Sequence, residues 1–389
     1  MGLIKKYKIL EVCPYSAGIC GVFNRVLTES KALTEMNNEV RIFSSNKTKG
    51  SKEKALSDEV VDGITIKRFP AIKLGGESFM DWGYSKAAIE YCPDIIIVHN
   101  YRHRHTTKAL KIKRALAKQG NICKVVLVTH APFVEDNTTR SKISSLVVDF
   151  YDKFIGPRKL KQFDAIVNIS QWEVPYLFNL GVDINKLYHI PNCLPDEYFA
   201  TVPEESINKS VLFLGRVAPI KNIEFIYELA KIMPDYNFSI LGRIDEDYMT
   251  ELSIKYFYPP KNISYYPPIY ELDKKIKAID THKYFILPSL REALPSSLIE
   301  ACGRGRTAIC TDTQGAREII QDGVTGYICK NNTPEEAREY ILLNEQKPLD
   351  SEKITFETFK SYSIKILKEK YEEIFRNLMN TDNNKDRKI

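Results

Sequence analysis

Short apolar runs, each followed by a stretch patterned for a helix, recur along this chain and limit its fold more than any other feature. The runs include Lys8–Val12, Asp94-Ile95-Ile96-Ile97-Val98, Lys124–Thr129, Val211–Leu214, Phe238–Leu241, Tyr284–Leu287 and Thr307–Cys310. A strand that is apolar at successive positions must be covered on both faces, as happens in a parallel sheet sandwiched between helices. The stretches between them repeat their apolar residues at helical spacing, as Phe23, Val26, Leu27 and Leu33 do. The alternation lapses at residues 192–210, which contain Pro195 and Pro203 and no apolar period. The expected fold class is therefore α/β, with two Rossmann-like doubly wound domains, residues 1–195 and 205–350. One long closing helix is expected over Phe359–Met379, and a polar, disordered tail over 381–389.

Smaller features follow from turn chemistry and composition. Val60–Phe69 reads as a hairpin turning at Asp62-Gly63, and the Lys-rich residues 46–58 as a surface loop. With 389 residues, 43% hydrophobic and 27% charged, the chain is of globular type, and no apolar run approaches the ~20 residues that span a bilayer. Met1–Tyr7 lacks a signal-peptide core, and the eight cysteines include no C-x-x-C pair. Buried reduced thiols and a cytoplasmic location are expected, with no zinc site.

Charge divides unevenly. Residues 1–195 carry 29 Lys and Arg against 19 Asp and Glu, a net of +10, while the whole chain stands at +6. The first half therefore suits an anionic partner: a membrane surface, a phosphorylated acceptor or nucleic acid. Nucleic acid is the weakest of these, because the cations are not interleaved with an aromatic stacking platform. Residues 139–161 mix cations with Ile143, Leu146, Val147, Phe150, Phe154 and Ile155. Packing within the domain and contact with anionic lipid are both open for that segment.

The chemistry is carried by loops that follow strands. After Leu214 comes Gly215-Arg216-Val217-Ala218-Pro219-Ile220-Lys221-Asn222. Arg offers a planar fork, Lys a mobile point charge, and Asn222 a cap for the next helix, a combination suited to a diphosphate. After Leu287, Glu292 lies in a loop, Pro295-Ser296-Ser297 starts a helix, and Glu300 sits within that helix. Taken alone, the spacing of the pair favours one solvated loop Glu and one salt-bridged helix Glu over a ligand site. Gly18-Ile19-Cys20-Gly21 follows the first strand and either admits a ligand close to the backbone or shapes a turn. It is not G-x-G-x-x-G, so a nicotinamide cofactor is not indicated. His99 and His130 both end strands of the first sheet, while His103 and His105 lie in a basic run. No carboxylate or Cys is spaced to complete a metal site with these histidines.

Together these pieces resemble the retaining, family-four glycosyltransferases of the GT-B fold. The likeness rests on Gly215-Arg216 with Lys221-Asn222, Leu241-Gly242, Glu292 to Glu300, Gly323-Val324-Thr325-Gly326-Tyr327, Thr129-His130 and Ile190-Pro191-Asn192. The resemblance implies two domains facing a central cleft, with the last helix (about 359–380) crossing back to the first domain. It implies that Arg216 and Lys221 bind the diphosphate of a nucleotide sugar and stabilise the leaving nucleoside diphosphate. Glu292 would contact the donor sugar. Backbone N–H groups around Leu294, Pro295, Ser296 and Ser297 would hold its hydroxyls and phosphate, and Glu300 would accept the ribose hydroxyls. Backbone near Ile269 would meet the base. His130 would face the sugar, and Gly18 and Gly21 would lie near the phosphates or acceptor, with Gly215 and Gly242 on the donor side. The family usually needs no metal, and no separate nucleophile is assigned.

The chain also departs from the family. Cys20-Gly21 replaces a pair of glycines, Leu294-Pro295 replaces Phe-Gly and removes one N–H, and Arg243 replaces a small residue after Gly242. Arg243 there either adds a phosphate contact or narrows the pocket. The resemblance implies a retaining, hexosyltransferase-type enzyme. Its co-substrate would be a nucleotide-diphosphate sugar, with no other cofactor, and its acceptor a glycan, a lipid-linked glycan or another hydroxyl compound. An anionic membrane surface is a further candidate partner of the basic first domain. The alternatives to this function are a nucleotide-sugar epimerase or hydrolase on the same fold and a non-catalytic nucleotide-sugar-binding protein.

Overall fold

The computed structural model describes residues 6–18, 20–73, 76–133, 142–201 and 207–383. The chain divides into two compact units, 1–193 with 364–389, and 194–363.

Among the described residues unit 1 is built on ten strands: β1 (Lys8–Tyr15), β2 (Glu39–Ser45), β3 (Asp58–Val61), β4 (Ile64–Phe69), β5 (Ala71–Lys73), β6 (Met80–Trp82), β7 (Ile95–His99), β8 (Lys124–Val128), β9 (Ala165–Asn168) and β10 (Leu187–His189). Eight form one sheet in the order β10-β9-β8-β7-β1-β2-β4-β3, and β5 and β6 pair separately. Every pairing in the large sheet is parallel except β3 with β4, the hairpin read from Asp62-Gly63. Gly63 (φ +80°) and Asp62 (φ +49°) supply the left-handed turn. The fully buried run Ile95–Val98 lies beside β1 at the centre, as an all-apolar strand must. From this centre the chain winds one way through β2 and the other through β7 and β8. The point of reversal is between β1 and β7.

Strand alternation sorts β1 onto two faces. Leu10 and Val12 join a large core with Ile96, Val98, Leu110 and Leu127. Cys13 packs on the other face with Val26 of the helix Gly21–Glu35 and with Ile42, Ile64 and Ile66. Glu11 shares the face of Cys13, so its carboxyl group points toward that helix.

Among the described residues unit 2 carries six parallel strands: β11 (Ile207–Leu214), β12 (Asn237–Leu241), β13 (Ile263–Tyr266), β14 (His282–Leu287), β15 (Thr307–Thr311) and β16 (Gly326–Cys329). Their order is β13-β12-β11-β14-β15-β16, which reverses between β11 and β14. Helices Ile223–Ile232, Ser296–Gly303 and Pro334–Gln346 follow strands, the last capped as expected by Thr333 Oγ1 accepting from Glu336 N at 3.3 Å.

The end of the chain differs from expectation. One helix is expected from Phe359 to Met379, and two are found, Ser351–Tyr362 and Ile364–Asn383. The break is at Ser363, which is extended (φ −72°, ψ 153°). Leu194 N donates to Tyr362 O at 2.7 Å, so the first helix ends in unit 2. The second belongs to unit 1, where Tyr371 donates to Glu29. Apolar residues keep helical spacing across Ser363, so periodicity alone does not show the break. Most of the tail expected at 381–389 lies outside the described residues.

Candidate active site

In an open parallel sheet, loops on either side of the reversal part and leave a crevice at the strands' C-terminal ends. In unit 2 these are the loops after β11 and β14, and they hold Arg216, Lys221 and Glu292. Lys221 Nζ pairs directly with Glu292 Oε1, with side chains 21% and 11% exposed. Leu290 N donates to Ile220 O at 2.9 Å and so fixes one loop against the other. Gly215 N reaches Leu241 O at 3.0 Å, and Val217 N reaches Arg243 O at 2.8 Å, which adds the loop after β12. Arg216 and Arg243 are exposed, and among the described residues neither side chain has an ion-pair partner.

Two glycines make this closeness possible. A Cβ on Gly242 (φ +158°) would run into the carbonyl of Gly215. A Cβ on Gly315 would lie 2.8 Å from Ala293 O and 2.9 Å from Pro295 Cδ. Gly315 N also donates to Glu292 O at 3.2 Å. Gly315 was not singled out from the sequence, because its need arises from a neighbour more than twenty residues earlier.

The helix Ser296–Gly303 begins after buried Leu294 and Pro295, and no side chain caps it. Among the described residues the N–H groups of Ser296 and Ser297 have no backbone acceptor. They offer an anion site at the positive end of the helix. Glu300, one turn on, pairs with Lys275 Nζ at 3.0 Å and accepts a hydrogen bond from the Tyr198 hydroxyl. Neither partner stood out in the sequence, since each comes from a different element. Ile269 is half-buried just past β13. Asn222 departs from expectation: it precedes its helix in a left-handed conformation (φ 51°) and makes no side-chain cap. A cavity of about 950 Å³ in unit 2 contains none of these groups. It lies at the opposite strand ends, lined by Lys283, Arg306, Asn344 and Phe356.

In unit 1, Gly18 (φ +79°) is required by the chain itself, since a Cβ there would strike the Lys49 carbonyl. Gly21 opens the helix Gly21–Glu35 and has empty space where a Cβ would be. His99 ends β7 and His130 lies two residues past β8. Their rings meet, with Nδ1 of His99 and Nε2 of His130 2.9 Å apart. His99 Nε2 lies 2.7 Å from Glu11 Oε2. His105 Nε2 bonds His99 O at 2.7 Å, and its ring stacks on Trp82. Burial holds His99, His105 and His130 well below the ordinary imidazole range, so all three are neutral near pH 7.

The expectation that no carboxylate accompanies these histidines fails. Glu11, Glu29 and His99 each bring a ligand-type atom within 4.8 Å of the others. Arg25 Nε lies 3.1 Å from Glu29 Oε2, so a guanidinium already supplies positive charge there. Arg25 Nη1 also donates to Pro191 O at 2.6 Å.

Two family models divide the chain between them. "Glycosyltransferase Family 4" matches residues 19–198 and "Glycosyl transferases group 1" matches residues 196–358. An uncharacterized glycosyltransferase of Methanocaldococcus jannaschii is 25% identical over 59% of this chain and 63% of its own length. The UDP-Gal:alpha-D-GlcNAc-diphosphoundecaprenol alpha-1,3-galactosyltransferase of Escherichia coli is 24% identical over 59% of this chain and 62% of its own. These alignments thus span somewhat less than two thirds of either relative. Sucrose-phosphate synthase from Thermosynechococcus elongatus superposes with a TM-score of 0.72 at 14% identity, covering 96% of this chain and 99% of that one. Anabaena HepE, in complex with UDP and glucose, gives 0.71 at 13% identity, covering 95% and 100%. The chain belongs to the group 1 glycosyltransferases and has the GT-B fold.

Proposed function

We propose that this protein transfers a sugar from a nucleotide-diphosphate sugar to a lipid-linked glycan, with retention at the anomeric carbon. The observation that carries the reading is the Lys221–Glu292 pair at the reversal point of the unit 2 sheet. An ammonium held by one carboxylate can re-partner with a diphosphate, freeing the carboxylate for sugar hydroxyls. Arg216, without an ion-pair partner among the described residues, adds a bidentate fork, and the N–H groups of Ser296 and Ser297 add fixed dipoles. These groups face charge that grows as the nucleoside diphosphate departs, so they lower the barrier more than they strengthen ground-state binding. Glu300 takes the ribose hydroxyls by exchanging Lys275 or Tyr198, and backbone near Ile269 meets the base. Gly21 leaves its loop open to substrate. His130 is assigned to the sugar, as the family likeness implies.

The acceptor class is inferred from relatives. The E. coli protein is named for a diphosphoundecaprenol-linked substrate, as is a Campylobacter jejuni relative, 23% identical over 46% of this chain. Unit 1 has a face suited to such a substrate. Leu146, Val147, Phe150, Phe154 and Ile155 are exposed, with Lys153 and Arg158 beside them. A cavity of about 630 Å³ is lined by Val147, Tyr151, Arg102, Arg104 and Lys159. Apolar side chains among cations suit an anionic membrane surface. No described helix is long and apolar enough to cross a membrane.

The test is a panel of UDP-, GDP- and ADP-sugars, each with an undecaprenyl-diphosphate-linked acceptor, with the anomeric configuration of the product read by NMR. Acceptor-dependent, EDTA-resistant transfer with retention supports the proposal. Donor breakdown that ignores the acceptor would point to a hydrolase or epimerase, and binding without turnover to a non-catalytic protein.

A further inference from the structure

A row of polar side chains runs inward from His130, and the proposed reaction does not use it. After His99 and Glu11 Oε2 comes Glu11 Oε1, a buried atom whose neighbour is the carboxyl group of Glu29. Glu29 is bound by Arg25 and Tyr371. Two buried carboxylates beside one guanidinium would leave an unbalanced negative charge, and a single proton between them removes it. Burial and the Glu29 charge push Glu11 well above the usual carboxyl range, so Glu11 holds that proton and donates it to Glu29.

The remaining hydrogens follow by valence. Glu11 Oε2 is then an acceptor, so the hydrogen in its contact with His99 is on Nε2. A neutral imidazole has one N–H, so His99 Nδ1 is a lone pair, and the hydrogen between the two rings belongs to His130 Nε2. His130 Nδ1 is left as a lone pair on a partly exposed residue, and among the described residues it has no hydrogen-bond partner. Burial, with Arg25, His103 and His105 nearby, disfavours a second proton on either ring, so each imidazole keeps a single N–H.

The backbone is independent support. His130 (φ +59°) and Ala131 (φ +47°) are both left-handed without being glycine, a strained state that persists only when its surroundings enforce it. Glu173 enforces it: its buried carboxyl group accepts from Thr129 Oγ1 at 2.6 Å and from the N–H of Ala131, one on each side of His130.

We propose that Glu11 and His99 are positioning residues that hold His130 in its Nε2–H form, so that Nδ1 is presented as a hydrogen-bond acceptor to a hydroxyl group of the sugar substrate. The owner of that hydroxyl rests on the nucleotide-sugar reading; the tautomer rests on unit 1 alone. A lone pair built to meet a hydroxyl discriminates against a sugar that lacks it, since the site would then be left unpaired.

The experiment is ¹⁵N NMR of histidine-labelled full chain over about pH 6.5–8, with steady-state kinetics on the same samples. Wild-type protein should show a hydrogen on His130 Nε2 and a bare Nδ1 throughout. Glu11→Gln should keep both the pattern and the turnover, because an amide offers the same carbonyl to His99 and an N–H to Glu29. Glu11→Leu and His99→Phe should release the tautomer and lower kcat about tenfold to a hundredfold, with KM for the nucleotide sugar nearly unchanged. A hydrogen on Nδ1 of wild-type His130 would overturn the proposal. So would loss of turnover in Glu11→Gln as deep as in Glu11→Leu. If Glu11→Leu does not fold, the wild-type and Glu11→Gln spectra still decide. If wild type binds and turns over no nucleotide sugar, the functional reading falls while the spectrum still tests the tautomer.

Discussion

The two units treat their polar groups in opposite ways. Unit 1 buries them: Glu11, Glu29, His99 and Glu173 are fully inaccessible, and their contacts are with one another, with Arg25, Tyr371 and Thr129, or with backbone. The candidate site of unit 2 keeps its charges partly exposed, with Lys221 paired to Glu292 and Lys275 to Glu300. A buried network fixes geometry but tolerates no exchange of partners, because an unpaired member is costly. A pair at a crevice can trade its partner for a ligand at little cost. The contrast suggests that unit 1 supplies a rigid, neutral arrangement and unit 2 an exchangeable, charged one.

Breaking a buried pair is the strongest way to test that contrast. Arg25→Met leaves Glu29 without its cation and should destabilise the protein by about 3–5 kcal/mol, read by urea unfolding. A loss under about 1 kcal/mol would place Arg25 among ordinary surface residues.

Next in size is a pH effect. Burial pushes Glu173 up to about 7, from 4.5 in a free side chain. Its folded form therefore favours the proton. The stability it contributes is complete below about pH 4.5, falls as pH rises, and is lost above about pH 7. The full swing is about 3 kcal/mol. Glu173→Gln should remove that slope, so wild type should lose stability relative to the variant between pH 5 and pH 8. Parallel curves would remove Glu173 from the account. Histidines act the other way: burial lowers His189 to about 4, so its contribution is lost as pH falls from about 6.5 toward 4. Five of the six histidines lie in unit 1, so acid sensitivity should centre there. Hydrogen exchange at pH 5 would locate it.

In unit 2 the expected losses are of activity. Lys221→Ala and Glu292→Ala should each lower kcat about a hundredfold, near 2.7 kcal/mol of transition-state stabilisation. The thermal midpoint should hardly move, since the pair is partly exposed. Smallest is Lys275→Ala, which leaves Glu300 with Tyr198 and should change KM for the nucleotide sugar only a few-fold.

Much of this was legible in the chain. The apolar runs marked the sheet strands because burial on both faces leaves no polar position to confuse the pattern. Glu292, Lys221 and Arg216 could be placed because each follows a recognisable strand end. Glu11 was not legible: one acid inside Lys8–Val12 looks like a solvent-facing position, and the partners that make it buried come from helices at residues 21–35 and 364–383 and from His99. Lys275 and Tyr198 escaped for the same reason, since what defines them is a contact with Glu300 across the fold. Ser363 escaped because the change of unit falls within an unbroken helical period. For Gly18 the sequence leaves ligand approach and turn-shaping open, and the nearby Lys49 carbonyl is enough by itself to require a glycine.

The central claim is that the loops after β11 and β14 bind the diphosphate of a nucleotide sugar. Calorimetric titration of the UDP-, GDP- and ADP-sugar panel into wild type and Lys221→Ala tests it most directly. Saturable binding of one class by wild type, weakened about tenfold or more in the variant, is the expected result. Equal affinity in both proteins, or no binding to wild type by any of the panel, would contradict it.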